Sequence, residues 1–325
     1  MKNKIRIGIV GYGNLGHGVE LAINQNTDME LIGIFTRRDP NILDTKSKVI
    51  HISNILDFKD RIDVMILCGG SAKDLDEQCP MVAEHFNTVD SFDNHGRIPE
   101  YFEKVNNIAL NSNKLSLIST GWDPGLFSLN RLLGQAILPS GKDYTFWGEG
   151  ISQGHSDAIR RIEGVKNGVQ YTVPVKEVLD KVRNCEDINI PSCERHKRVC
   201  YVACEENGNR DRIEKEIKTM PNYFAEYNTT VHFISEEELK EKHNKMPHGG
   251  FVIRTGNTGL GTKQKMEFNL NLESNPEFTS SVLTAYARAV HRMASEGKVG
   301  AITIFDIPLA YLSSKTGEEL RKELL

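Results

Sequence analysis

Lys4-Ile5-Arg6-Ile7-Gly8-Ile9-Val10-Gly11-Tyr12-Gly13-Asn14-Leu15-Gly16 is the stretch on which the fold turns. Lys4 to Val10 is mostly apolar and reads as a strand buried in a sheet. It runs straight into G-x-G-x-x-G, and Glu20-Leu21-Ala22-Ile23 continues as a helix. Such a hexapeptide is weak evidence alone; between a strand and a helix it is a dinucleotide fingerprint. Gly11 permits the tight turn, Gly13 lets the backbone approach a pyrophosphate, and Gly16 allows close helix–strand packing. Phosphates then sit on helix N-terminal amides, where unpaired donors and the dipole favour anions. The plainer alternative is a surface glycine turn, which the flanking strands argue against.

The next strand, Met29 to Phe35, selects the cofactor. A site for NAD places Asp or Glu at this strand's end to hold the ribose hydroxyls. Here the end reads Phe35-Thr36-Arg37-Arg38, with Asp39 only after the arginines. Two guanidiniums and a hydroxyl bind a 2′-phosphate through charge-assisted hydrogen bonds, where a carboxylate would repel it. The expected cofactor is therefore NADP; the bland alternative is a solvated basic loop.

Further strands follow at Val49–Ile52, Val64–Cys68, Val89–Phe92 and Leu115–Thr120, with a helix from Pro99 through Val105. Strands alternating with helices indicate an α/β fold, a Rossmann-type doubly wound parallel sheet. Ligands of such sheets bind beyond the carboxyl ends of the strands. The expected cofactor contacts are Gly11, Tyr12, Gly13, Asn14 and Leu15; Thr36, Arg37 and Arg38; Cys68, Gly69, Gly70, Ser71 and Ala72; Ser91, Phe92 and Asp93; and Thr120, Gly121, Trp122, Asp123 and Pro124.

The character of the chain changes after about Pro139. Tyr144–Gly148, Val169–Val175, Arg198–Ala203, Thr229–Ile234, Phe251–Thr255 and Lys265–Leu272 read as strands, and a helix start is expected near Ser156-Asp157. Arg210–Met220 and Phe278–Ala294 read as helices. This half is expected to be a second α+β domain on a mostly antiparallel sheet. The expected division is a dinucleotide-binding domain over residues 1–120, completed by about 300–325, and a substrate-binding and dimerisation domain over 121–299.

Composition bounds the remainder. A chain of 325 residues suits about two domains. A net charge of −4 gives no basic field for nucleic acid. No apolar run reaches the roughly 20 residues of a membrane span, and the N-terminus lacks a signal-peptide layout, so the cytoplasm is the expectation. The six cysteines form no C-x-x-C. Cys200 and Cys204 lie near His196, but no second ligand pair follows at finger-like spacing, so reduced thiols and no metal are expected.

Two carboxylates sit at strand ends on the cofactor edge: Asp93, in Asp93-Asn94-His95, and Asp123, in Trp122-Asp123-Pro124. Either could be an ordinary turn residue. Facing a nicotinamide, they could hold a substrate ammonium or accept its proton as hydride leaves the adjacent carbon.

The motifs at 11–16, 35–38 and 93–95 are joined by Ser119-Thr120-Gly121-Trp122-Asp123-Pro124-Gly125, Phe146-Trp147-Gly148, Ser152-Gln153-Gly154-His155-Ser156-Asp157, His196-Lys197-Arg198 and Met246-Pro247-His248-Gly249-Gly250. Together they resemble the meso-diaminopimelate D-dehydrogenase family, over nearly the whole chain. The resemblance implies reversible NADP-dependent oxidative deamination of the D-centre of meso-2,6-diaminopimelate. The product is L-2-amino-6-oxopimelate, which cyclises to tetrahydrodipicolinate, and ammonia is released. It also implies a homodimer and a place in lysine and diaminopimelate biosynthesis. Substrate contact is carried over onto Asp93, Asp123, Trp147, Gln153, Gly154, Thr172, Arg198, His248 and Asn275; the expected catalytic residues are Asp93 and Asp123, one of which, or a water held by one, is the candidate base.

The residue types suit that zwitterion. Arg198 can clamp a carboxylate, Thr172 and His248 can add donors, and Asn275 serves either polarity. Trp122 and Trp147 can wall the pocket. Simpler roles exist for each: a surface ion pair for Arg198, a loop histidine for His248, core for Trp147, a helix cap for Asn275. The rival functions are another two-domain NADP oxidoreductase and a non-catalytic NADP sensor. An acylating aldehyde dehydrogenase would need a nucleophilic cysteine, for which Cys68 is the one attractive candidate. A sugar oxidoreductase would commonly carry Glu-Lys-Pro after a strand, which is absent here.

Overall fold

The computed structural model describes residues 4–71 and 73–325. Its strands are β1 (Ile5–Val10), β2 (Met29–Thr36), β3 (Val49–His51), β4 (Val64–Leu67), β5 (Asn87–Asp90), β6 (Leu115–Leu117), β7 (Gly141–Trp147), β8 (Gly150–Ile151), β9 (Val165–Pro174), β10 (His196–Cys204), β11 (Asn228–Phe233), β12 (His248–Thr258), β13 (Thr262–Leu272) and β14 (Gly300–Ile302). The chain divides into two compact units. One runs through Leu129 and resumes at Pro276; the other is Asn130–Asn275.

The first unit holds a parallel sheet ordered β14-β6-β5-β4-β1-β2-β3. β1 is flanked by β2 on one side and β4 on the other, so the winding reverses there. That reversal opens a crevice beyond the strand ends. The Gly11 amide donates to the Phe35 carbonyl at 2.8 Å and the Cys68 amide to the Val10 carbonyl at 2.8 Å. The ends of β1, β2 and β4 are thus held together at the crevice.

Apolar side chains of β1, β4, β5 and β6 pack on one face with the helix Asn275–Ser295. That helix buries Val282, Leu283, Tyr286, Ala287, Val290 and Met293 at three- and four-residue spacing, the stripe expected of a core-facing helix. Ser280 donates from its hydroxyl to the Leu15 carbonyl at 2.8 Å. A Cβ on Gly18 would lie 2.5 Å from that hydroxyl, so this glycine permits the close approach of the two helices. The helix therefore belongs to the first unit, not to a second domain reaching residue 299 as the order of the chain suggested. β14 pairs with β6 on the same sheet. The chain leaves this unit within the helix Leu126–Ile137, nine residues later than the division after 120.

The second unit carries two sheets. β13-β12-β7 is antiparallel; β11-β10-β9-β8 is antiparallel except for the β10–β11 pair. Ile159, Ile162, Cys200, Val202, Ile213, Ile217 and Phe224 form the core under the four-stranded sheet. The helix expected to begin near Ser156 begins at Gln153, so Gln153 and Gly154 lie in its first turn. No described helix is long and apolar enough to cross a membrane.

Two strand ends fall two or more residues short of expectation, for one reason. β5 stops at Asp90, because the Phe92 amide turns to the Asp90 side chain. β6 stops at Leu117, and Ser119 takes a left-handed φ of 55° with its amide on the same carboxyl group.

Candidate active site

The crevice of the first unit contains a cavity of about 280 Å³ lined by Gly11, Tyr12, Gly13, Thr36, Arg37, Arg38, Cys68 and Gly69 among others. Gly11 turns at a φ of +90°. A Cβ on Gly16 would lie 2.2 Å from the Gly11 carbonyl oxygen, whereas one on Gly13 would meet nothing within 4 Å. The helix that follows, Asn14–Asn24, has no side-chain cap at Gly13. A helix N-terminus opened by glycines in this way can take an anion on its amides. This is the cradle a pyrophosphate requires.

The basic end of the cavity is built by side-chain contacts. Thr36 Oγ1 accepts from the Arg38 amide at 3.1 Å, and the Arg38 guanidinium donates to the Tyr12 carbonyl. Tyr12 in turn donates its hydroxyl to Glu20, which also accepts from Thr45 and Ser47. Burial raises the Glu20 pKa, but those three hydroxyls outweigh it and hold the carboxyl below its usual range. Arg37 pairs with Asp74 at 2.6 Å, and Asp74 Oδ2 accepts from the Gly70 amide at 3.1 Å.

Asp74 and Gln78 line the cavity without having been anticipated. Their signal was available: Asp74-Leu75-Asp76-Glu77 follows the glycines after β4, as an acid-rich helix start does. Cys68 also lines the cavity, but burial pushes its thiol well up, away from a nucleophilic thiolate.

The other expected cofactor contacts lie elsewhere on the same sheet edge. Leu15 packs against the core with its carbonyl on Ser280, and Asn14 opens the helix. Ser71 Oγ accepts from the Asp93 amide at 3.0 Å. Ser91 is half-buried, and Phe92 is buried and stacks on Tyr101 at 4.0 Å. Thr120 donates its amide to the Asp90 carbonyl. Gly121, Trp122, Asp123 and Pro124 form a tight loop; a Cβ on Gly125 would lie 1.7 Å from the Gly121 oxygen. Trp122 is edge-on to Phe127 at 5.1 Å. Asp93 is exposed and Asp123 half-buried, each a few residues beyond neighbouring strands β5 and β6. Ala72 lies outside the described residues.

The second unit has a polar centre of its own. Arg198 on β10 stands opposite Thr172 on β9. Arg198 donates to the Thr172 hydroxyl, and Gln170 Nε2 donates to the same oxygen at 3.2 Å. The guanidinium lies 4.0 Å from the ring centroid of Tyr227. Arg198 is only 8% exposed, and burial lowers its pKa. Among the described residues no carboxylate pairs with it, and its Nε has no partner. A buried cation lacking a counter-ion is costly. A ligand carboxylate would satisfy both the charge and the open donors.

His155 and His196 flank this centre, each pushed down to about 4, by burial first and then, in part, by the Arg198 charge. Neutral His196 accepts the Trp147 amide at Nε2, 2.9 Å away, while its Nδ1 lies 2.8 Å from the Ser192 carbonyl. Trp147 stacks on the same imidazole at 5.3 Å. Gly148 carries the chain past Thr172, where a Cβ would lie 2.1 Å from the Thr172 oxygen. Gln153 Nε2 reaches Met246 Sδ at 2.9 Å, and Gly154 faces open space. His248 is buried at the start of β12, and its Nδ1 accepts the Gly249 amide at 2.8 Å. Asn275 is the first residue of its helix and donates its amide to the Met246 carbonyl at 2.9 Å. Gln170 was missed. It alternates with Thr172 along β9, and its Oε1 is buried without a partner.

Residues 121–274 match the model of the diaminopimelic acid dehydrogenase C-terminal domain. The chain is 63% identical to the meso-diaminopimelate D-dehydrogenase of Ureibacillus thermosphaericus, covering 99% of this chain and all of that protein. Among solved structures, a multiply substituted meso-DAPDH of Clostridium tetani E88, solved with DAP, is 65% identical at a TM-score of 0.95, covering 99% of this chain and 100% of that one. An engineered D-amino acid dehydrogenase bound to NADP+ is 42% identical at a TM-score of 0.89, covering 99% and 100%. With a glycine cradle, an arginine-tipped second strand and a buried uncompensated arginine in the matched domain, the chain belongs to the meso-diaminopimelate D-dehydrogenase family.

Proposed function

We propose that the chain carries out NADP-dependent oxidative deamination at the D-centre of meso-2,6-diaminopimelate, with its two units dividing the work. The observation that carries the reading is Arg198, a buried guanidinium in want of an anion, in a chain whose other unit holds an arginine-tipped dinucleotide cradle. A dicarboxylate with two ammonium groups suits that combination.

When bound, NADP+ supplies the hydride acceptor. The amides after Gly13 hold its pyrophosphate, and Thr36, Arg37 and Arg38 hold the 2′-phosphate. Arg198 clamps a substrate carboxylate, with Thr172, His248 and Asn275 completing the polar contacts and Gln153-Gly154 and Trp147 bounding them. Asp93 and Asp123 hold the reacting ammonium, and one of them, or a water it holds, takes its proton, leaving a neutral amine whose carbon can give up hydride. Water adds to the resulting imine and ammonia departs. Trp122 keeps bulk water from the reacting end.

The enzyme is proposed to act in the cytoplasm, where its nucleotide is kept, and as a homodimer. Leu132, Leu133 and Ile137 stand exposed on one helix of the second unit and offer apolar area for association. Sedimentation at twice the chain's mass would bear this out.

The test is NADPH and ammonia production from meso-diaminopimelate with NADP+, repeated for Arg38→Ala. Turnover with wild-type protein, and an NADP+ preference that collapses toward NAD+ in the variant, are expected. Tight NADP+ binding without turnover would instead identify a sensor.

A further inference from the structure

We propose that Asp90 is a positioning residue, whose buried side chain sets the two loops that carry Asp93 and Asp123. The inference rests on the roles given above to those two aspartates.

The ladder between β5 and β6 ends at Val89 and Leu117. Beyond it the strands no longer hold each other through paired backbone, and Asp90 takes over. Its Oδ1 accepts the Phe92 amide at 2.9 Å and the Ser119 amide at 3.0 Å. Its Oδ2 accepts the Tyr101 hydroxyl at 2.8 Å, and its carbonyl accepts the Thr120 amide at 2.9 Å. One fully buried residue thereby holds three backbone amides from two loops.

Each loop needs such a hold. Ser119 has a left-handed φ of 55°, unusual for a residue with a side chain, and its buried hydroxyl has no partner among the described residues. Local strain of this kind persists only where the surroundings enforce it. On the other loop, Phe92 is pinned by its amide on Asp90 and by its ring on Tyr101, itself bonded to Asp90. The next residue is Asp93, its amide fixed on Ser71. Asp123 follows Ser119 by four residues. A shift in either loop displaces a carboxylate from the amine it must serve, and misplacement by about 1 Å can cost about 100-fold in rate.

Among the described residues, the side-chain hydrogen bonds of Thr36, Arg37 and Arg38 go to one another, to Asp74 and to Tyr12, not to this network. Loss of Asp90 should therefore separate turnover from affinity for the phosphate end of NADP+.

The experiment compares Asp90→Ala, Asp90→Asn and Ser116→Ala. Asp90→Ala should lower kcat about 100-fold, with the preference for NADP+ over NAD+ kept within about threefold. Asp90→Asn keeps the oxygen facing both amides, and the Tyr101 hydroxyl can turn to accept from the new NH2 group, so most of kcat should return. Should Asp90→Ala not fold, Asp90→Ser is the second truncation, since its hydroxyl is too short to reach both amides. Ser116→Ala breaks the buried Thr88–Ser116 hydrogen bond, 2.9 Å long, between the same two strands. It should lower the melting temperature and leave kcat unchanged, which separates positioning from general stability. Wild-type kcat in the truncated variant, an Asn variant as poor as Ala, or kcat falling with stability in Ser116→Ala would each overturn the proposal. Asp93→Asn and Asp123→Asn, assayed in parallel, keep two failures apart. Unchanged turnover in both removes the roles of the aspartates. Loss in them beside normal turnover in Asp90→Ala removes the positioning role alone.

Discussion

Arg198 carries a charge at 8% exposure, with a hydroxyl, an aromatic ring and, among the described residues, no carboxylate for company. Lysine would keep the charge but lose the planar fork and the ring contact. Arg198→Lys is expected to raise KM for meso-diaminopimelate about 10- to 100-fold, the equivalent of one or two charge-assisted hydrogen bonds. NADP+ affinity, measured by titration, should stay within about twofold.

His155 and His196 make a second prediction at this scale. Both have folded pKa values of about 4, below the roughly 6.5 of an unfolded histidine. Between those values the unfolded chain binds more protons, so the two histidines' contribution to stability falls as pH drops from about 6.5 toward about 4 and levels off below. Urea unfolding across that window should show the loss. His196→Gln, which can still accept the Trp147 amide, should make the slope shallower; an unaltered slope would show that His196 contributes nothing to it.

The helix Asn275–Ser295 illustrates the scale of elements. Its apolar stripe is legible in the sequence, but its place in the fold is not. The partners of Leu283, Tyr286 and Val290 include Ile7, Ile9 and Val19, more than 250 residues earlier. Periodicity reports that a face is buried, never against what. Leu283→Ala should destabilise the protein by about 2–5 kcal/mol, read as a lower urea midpoint. A change of a few tenths would mean the helix does not pack on the sheet. The glycine cradle was fully legible, because each glycine answers to a local backbone demand. Asp74 and Gln78 were signalled only by the acid-rich helix start after β4, and Gln170 not at all, since a polar residue on a strand carries no mark of the cavity it faces. The early ends of β5 and β6 were hidden for the same reason: a side chain, Asp90, took amides that a strand would otherwise pair.

At the scale of the whole molecule, each of the two units carries polar groups of its own. The first offers a nucleotide cradle and two carboxylates at one sheet edge; the second offers a buried cation that pairs with no carboxylate among the described residues. The architecture was readable from strand and helix alternation. The substrate's identity came only with the motifs spread over both units, because one arginine and two aspartates fit many amino acids. The central claim is that hydride leaves the D-centre, and isotope placement tests it directly. With meso-diaminopimelate deuterated at the D α-carbon, the label should appear in NADPH. Deuterium at the L α-carbon should stay in the product. Label reaching NADPH from the L-centre, or from neither, would contradict the account.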